Sequence, residues 1–489
     1  MIIRPFRLKL SGIFKCVQYN TRKRMKELFR LLWLRYRIWY HSLRPVYVLV
    51  LGYALYVAIT FALLCLPICW KVSDVALIDS LFIAVAVIST CGLQPINLAE
   101  TYNLLGQIVV LLGVQISGLG YMTLGSCVIL ASKGHLSQKR LKIGQAVLAM
   151  PEFFEPRRFL RHIVVFTLSV ELIGTLVLWQ CFLAAGTPNP LWAAMFHSVT
   201  AFCTAGISIF PNNLESFADN AAVSLTIATL TLLGGIGFIV MDDLHRSIQS
   251  KSLRTTLTTR IILAATFGSV FVGTLFLFFD PHIAEFSLKQ RILTAFFQTV
   301  SAMTTAGFNT IPVSNLASAT TVIAIILMIL GASPSGTGGG LKSTTWSAAI
   351  ATVLSFFHGR EEITFFNHTV PHSRANAAFA AITLYMMTFT AGTYFLLCFE
   401  SHPFECVVFE VASALGTVGW SHGITPELTS AGKIVIMLLM FIGRLGVVAL
   451  ALGAFALYHD ISHELHEHHE THHAAEPVSP SIDDSDIVL

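Results

Sequence analysis

Hydropathy along the chain gathers into eight long apolar stretches, at residues 46–70, 103–132, 162–184, 220–241, 261–279, 318–341, 375–399 and 434–459. A helix needs about 20 residues to cross roughly 30 Å of hydrocarbon, so the pattern predicts eight transmembrane helices. Glu171 interrupts the third stretch and Arg444 the eighth. Within each successive pair lies a further segment, too apolar to be a loop and too short to cross.

Aligned on one glycine, these segments read SLFIAVAVISTCGLQPINL, AMFHSVTAFCTAGISIFPNNL, FFQTVSAMTTAGFNTIPVSNL and VVFEVASALGTVGWSHGITPEL. A Phe stands ten residues before the Gly each time (Phe82, Phe196, Phe297, Phe409), a Thr two before it, and a Pro follows (Pro95, Pro211, Pro312, Pro426). The glycines Gly92, Gly206, Gly307 and Gly419 are 114, 101 and 112 residues apart. Four copies in register make a fourfold internal repeat of span, half-helix, turn and span. The repeat divides the chain into units at 46–132, 160–242, 260–345 and 375–459, between a basic arm (1–45) and a polar tail (460–489).

From Phe82 to Thr90 a helix is about 14 Å long, half of the hydrocarbon core. It has to stop inside the membrane, where non-helical backbone is tolerated only if protein or water surrounds it. Four copies facing one axis meet that condition. The expected fold is an all-α polytopic membrane protein: four pseudo-repeated span, pore half-helix, span units, with eight transmembrane helices and four re-entrant loops around a central pore. At that axis Thr90-Cys91-Gly92, Thr204-Ala205-Gly206, Thr305-Ala306-Gly307 and Thr417-Val418-Gly419 present carbonyl oxygens where four helix dipoles point their negative ends. Uncharged carbonyls suit a monovalent cation, which they strip of water and still release. A divalent-selective pore would show a ring of Asp or Glu, and no turn has a carboxylate within two residues of its Gly. Four kinked hairpins with packing glycines form the competing picture, which leaves the shared Phe, Thr and Gly offsets unexplained.

Composition agrees. Of 489 residues 54% are hydrophobic and 12% charged, and mean hydropathy is +0.70, which excludes a cytosolic enzyme with a membrane tail. Twelve Lys and Arg precede residue 45 against the single acidic Glu27, holding that end in the cytoplasm. Within the arm, Leu28 to Tyr40 reads as a helix lying on lipid headgroups, a better partner for it than nucleic acid. Further cations follow spans two (Lys133, Lys139, Arg140, Lys142, Arg157, Arg158, Arg161), four (Arg246, Lys251, Arg254, Arg260) and six (Lys342, Arg360, Arg374), and only Lys71, Lys289, Arg291 and Lys433 fall on the other side. Both termini are therefore expected in the cytoplasm. The nine cysteines show no metal-type spacing, and those in apolar runs, such as Cys65, Cys69, Cys127 and Cys398, read as buried small hydrophobes.

The segments TCGL, TAGI, TAGF and TVGW on this repeat resemble the Trk/Ktr/HKT superfamily of potassium uptake proteins, over about residues 45–459. The resemblance implies that one chain folds like four potassium-channel subunits, with the twelve turn residues as a K+ selectivity filter. In that family Gly in all four turns goes with K+ preference, and Ser in the first with Na+ permeation. Cys91 and Trp420 depart from its commoner residues. It further implies K+ as the transported ion, no cofactor in this chain, a homodimer with one pore per protomer, and a soluble ring of Rossmann-type regulatory subunits that bind nucleotide. A basic arm in place of an extra pair of spans favours the Ktr-like branch, in the plasma membrane of a prokaryote, the bacterial inner membrane.

Three further features are weighed against that frame. Gly331-Ala-Ser-Pro-Ser-Gly336-Thr-Gly338-Gly339-Gly340-Leu-Lys342 cannot hold a regular helix, since Gly costs about 1 and Pro about 3 kcal/mol there. The family carries a similar intramembrane gate loop at this place, from which Ala332 and Gly336 depart; a phosphate-binding loop fails because Leu341 separates Gly340 from Lys342. Arg444, in a Gly-Arg-x-Gly context the family shares, is expected to face the pore against that loop. Glu171 reads either as a group orienting a pore helix or binding a coupled ion, or as a hydrogen-bonded structural carboxylate. The alternatives in function are a less selective or Na+-coupled transporter of the same architecture, and a membrane metalloprotease using His469-Glu470-Thr471-His472-His473, a match that arises easily in a run so rich in His and Glu.

Overall fold

A computed structural model describes residues 45–72, 74–131, 156–249, 255–334, 336–366 and 368–447. The basic arm, the loop cations from Lys133 to Lys142, Lys251 and Arg254, the end of the eighth stretch and the tail with its H-E-x-x-H match lie outside the described residues. In chain order the longer helices are α1 (Pro45–Leu64), α2 (Leu77–Ser89), α3 (Leu104–Ala131), α4 (Pro156–Ala184), α5 (Pro190–Phe202), α6 (Ala221–Ile236), α7 (Phe238–Gln249), α8 (Leu257–Phe278), α9 (Leu288–Met303), α10 (Ser318–Leu330), α11 (Ser343–Phe357), α12 (His372–Phe399), α13 (Phe404–Gly416) and α14 (Ser430–Leu445). A short antiparallel pair, Thr364–Phe365 with His368–Thr369, joins α11 to α12.

The four short apolar segments are α2, α5, α9 and α13, and each stops at the aligned Thr-x-Gly or one residue before it. Their repeated Phe82, Phe196, Phe297 and Phe409 are at most 1% exposed, which accounts for the fixed offset: each ring anchors its helix in the interior. The helix leaving each turn lies against the short helix of the next repeat: α3 on α5, α6 on α9, α10 on α13, and α14 on α2, so that the last closes on the first. On the outside, Leu172, Ile173, Phe271 and Phe395 are more than half exposed, as suits a surface solvated by lipid.

The helices differ from the sequence pattern where glycine enters it. Among the described residues three helices, Arg161–Ala184, Leu257–Phe278 and His372–Phe399, are long and apolar enough to cross a membrane alone. The fourth stretch is a pair, α6 and α7, bent by 89° at Gly237, whose φ of 90° suits glycine. The sixth ends at Gly331 (φ 58°) after 13 helical residues, and α14 ends at Gly446 (φ 86°). Gly237 is thus a break within the apolar stretch at 220–241. The apolar helix α11 was not anticipated, its Ser- and Thr-rich start reading as loop.

Candidate functional site

Each short helix closes in the same way. The residue after the repeated Thr donates its N–H to the carbonyl five residues back: Cys91 to Ala86, Ala205 to Thr200, Ala306 to Ser301 and Val418 to Ser413, all at 2.8 Å. This six-residue closure requires a left-handed residue, ordinarily Gly. Here it is Thr90, Thr204, Thr305 and Thr417, with φ of 50, 49, 57 and 52°. A β-branched residue in that region is strained and persists only where its surroundings hold it.

The turns meet edge to edge. A Cβ added to Gly92 would lie 3.1 Å from the Ala205 and Gly206 carbonyl oxygens. One on Gly206 would overlap the Ala306 oxygen, one on Gly307 the Val418 oxygen, and one on Gly419 the backbone of Gly92. The four contacts run from one turn to the next and close, and the Gly92 N–H donates to Val418 across the last join at 3.4 Å. Among the described residues no donor is paired with the carbonyls of Thr90, Cys91, Thr204, Ala205, Thr305, Ala306 or Thr417. Oxygens so placed at helix C-termini have the chemistry to coordinate a cation.

Against the threonine side of the ring lies the glycine-rich loop. The Thr337 N–H donates to the Gly234 carbonyl (3.0 Å), its hydroxyl to that of Phe202 (3.1 Å), and the Gly339 N–H to the Thr305 hydroxyl (2.8 Å). The Thr204 hydroxyl is 3.1 Å from that of Thr337. Glycine is required at closest approach: a Cβ on Gly336 would meet the Gly235 carbonyl, on Gly338 the Thr305 hydroxyl, and on Gly339 the Thr417 hydroxyl. Gly331 and Gly340 pack together at the neck of the loop, where Lys342 Nζ donates to the Gly338 carbonyl at 2.7 Å. Arg444 is 4% exposed; it donates through Nη1 to the Thr337 carbonyl and through Nη2 to that of Ser117 at 3.1 Å. All the residues singled out in the loop thus lie together under the turns with Arg444.

On the glycine side a cavity of about 530 Å³ opens, lined by the chain leaving the turns. Glu215 is its carboxylate; burial raises its pKa, partly offset by a hydrogen bond from Asn309 Nδ2 at 2.8 Å. Trp420 fills the rim between the third and fourth repeats, its indole N–H donating to the Phe308 carbonyl at 3.0 Å.

Other residues land differently. Glu171 touches the α5 helix through its backbone carbonyl, which accepts from Ser198 at 2.7 Å, while its carboxylate accepts from Gln115 at 3.2 Å. Three of the four cations on the minority side are engaged: Lys433 Nζ pairs with Asp79 at 2.6 Å, Lys71 donates to the Ala99 carbonyl at 2.6 Å, and the Arg291 guanidinium stacks 3.9 Å over Phe278. Cys69, Cys91 and Cys203 are buried, but Cys65 is only partly so and Cys398 is exposed, because it faces outward from α12. The Cys127 side chain lies outside the described residues. Among the described residues no group of three His, Cys, Asp or Glu could hold a metal.

The family model TrkH, described as cation transport protein, matches residues 61–461. The Ktr system potassium uptake protein B of Vibrio alginolyticus is 33% identical over 395 residues, 80% of this chain and 86% of that protein. The protein of the same description from Bacillus subtilis is 31% identical over 408 residues, 82% and 91%. The crystal structure of the potassium transporter TrkH from Vibrio parahaemolyticus superposes with a TM-score of 0.68 at 18% identity, over 84% of this chain and 85% of that one, a likeness of fold.

Proposed function

The chain belongs to the TrkH family of cation transport proteins, polytopic in the membrane, and from that premise we propose that it takes up potassium ions through the ring of turns. The observation that carries this reading is the ring itself: four Thr-x-Gly turns with one backbone geometry, packed in closed succession, with unpaired carbonyls among them. Thr90 to Gly92, Thr204 to Gly206, Thr305 to Gly307 and Thr417 to Gly419 form the K+ selectivity filter. Dehydrated K+ passes in single file, driven by a membrane potential that contributes about 2.3 kcal/mol per charge per 100 mV. No bond is made or broken, and the chain is a transporter, not an enzyme.

Four span, half-helix, span units with eight transmembrane passages surround this axis, α6–α7 and α10 being passages broken at glycine. The loop at 331–340 with Lys342 is the gate, and Arg444 latches it through the Thr337 carbonyl. The chain acts in a bacterial inner membrane with both termini inside, as a homodimer on a soluble nucleotide-binding ring, and holds no cofactor of its own; names of the Ktr-system relatives support a multi-component system.

The test is growth of a potassium-uptake-deficient bacterium on low K+. The wild-type chain is expected to rescue it, and Gly206→Ser to lose the preference for K+ over Na+. Absence of rescue by protein that reaches the membrane, or a permeation ratio untouched by Gly206→Ser, removes the turns from the role of filter.

A further inference from the structure

One position of the repeat varies in a way that the filter reading does not use. Nine residues before each turn Gly, directly after the repeated Phe, stand Ile83, His197, Gln298 and Glu410. All four are at most 1% exposed on helices that are otherwise mainly apolar there. A buried carboxylate within a membrane protein is costly, and an aliphatic residue serves at this place in the first repeat, so the polar side chains are not there to fill space.

Each of the three polar groups reaches the chain leaving its own turn. His197 Nδ1 is 2.8 Å from the Ala193 carbonyl, which can only accept; the neutral ring therefore carries its proton there, and Nε2 accepts from the Ser208 hydroxyl at 2.9 Å. Gln298 Nε2 donates to the Ile311 carbonyl at 3.5 Å. Glu410 Oε1 accepts from the Thr425 hydroxyl, which lies 3.0 Å from Ser421 Oγ, and Ser421 Oγ accepts the Gly423 N–H at 2.9 Å.

Resting on the filter reading, we infer that this position is a brace between pore helix and the chain that leaves the filter turn, and that Glu410 is the positioning residue that sets the fourth turn and with it the discrimination between K+ and Na+. The fourth repeat has most to transmit. Ser421 follows Trp420, whose indole ties the rim to the Phe308 carbonyl of the third repeat, so a shift of Ser421 moves the rim of two repeats. Through the Thr425 hydroxyl Glu410 is linked to Ser421, and the chain places this link where the rim is bulkiest.

Uptake is measured in K+-depleted cells, with membrane amounts quantified, for Glu410→Leu, Glu410→Gln and Thr425→Val, with Gly307→Ser alongside. Glu410→Leu and Thr425→Val are each expected to lower the K+/Na+ preference and raise the KM for K+ about five- to tenfold, the scale of one ordinary hydrogen bond. The double variant should be no worse than either single one, and Glu410→Gln, which keeps an acceptor, should restore most of the preference. A structural role would instead lower the amount of protein at unchanged ratio and KM. If Glu410→Leu does not reach the membrane, Thr425→Val decides. Should both variants keep the wild-type ratio while Gly307→Ser changes it, the brace is overturned and the filter stands; should Gly307→Ser change nothing either, both fall.

Discussion

At the turns, φ of the four threonines stays within 49–57° and the closing hydrogen bond measures 2.8 Å in every repeat. The helices that leave those turns share nothing of the kind: α3 runs 28 residues, α6 is bent at Gly237, α10 ends at Gly331 and is followed by the loop, and α14 ends at Gly446. Both regions descend from one repeat. On the proposed reading an unhydrated ion is spherical and needs like oxygens on every side, so departure at the ring is penalised in each copy. Interrupting a flow needs only one obstruction, and there the copies are free to diverge.

The largest expected effect tests how far the likeness of the turns extends. Gly307→Ala places a side chain at φ 80° into the Val418 carbonyl, and Gly206→Ala at φ 60° into that of Ala306. Each should reduce K+ uptake by at least about tenfold, a strain of the order of 1–3 kcal/mol. Gly92 lies outside the positive-φ set, and its nearest neighbours would be 3.1 Å away. Gly92→Ala should therefore still transport, with a lower K+/Na+ ratio in flux assays; losses of equal size at all three positions would extend the symmetry to tolerance. A smaller effect probes the other region. Arg444→Gln releases the Thr337 carbonyl while leaving the loop on the threonines, so flux should rise severalfold at constant permeation ratio. A changed ratio would mean that Arg444 belongs functionally to the ring. The smallest concerns the cavity. Because burial raises the pKa of Glu215, it takes up a proton at milder acidity than a free carboxylate; the KM for K+ should then rise as external pH falls into that range, and Glu215→Gln should flatten the dependence.

Legibility in the sequence follows the range of the physical constraint. The turns were readable because closing a helix within six residues is local, and four copies repeat it at fixed offsets. The loop was readable as non-helical from its glycines, but its partners were not: Thr337 meets Phe202 and Arg444, each more than 100 residues away. Gly237 and Gly446 stand in apolar runs with other glycines close by, Gly234 and Gly235 in one and Gly443 in the other, where a break and a packing contact leave the same trace. Lys433 was read as a loop charge because its partner Asp79 is 354 residues distant. Position 410 escaped notice because its two polar counterparts, His197 and Gln298, differ from it chemically while reaching the same part of the chain.

The cyclic order of the turns also bears on how the protein is made. Gly92 packs on Gly206 on one side and on Gly419 on the other, a residue synthesised 327 positions later. Both neighbours of the first turn, Gly206 and Gly419, come later in the chain, and the ring of contacts closes only once the fourth repeat is in place. On the proposed reading, a chain cut short before that point is expected to carry no reduced current, because a cage of oxygens missing one side cannot replace an ion's water.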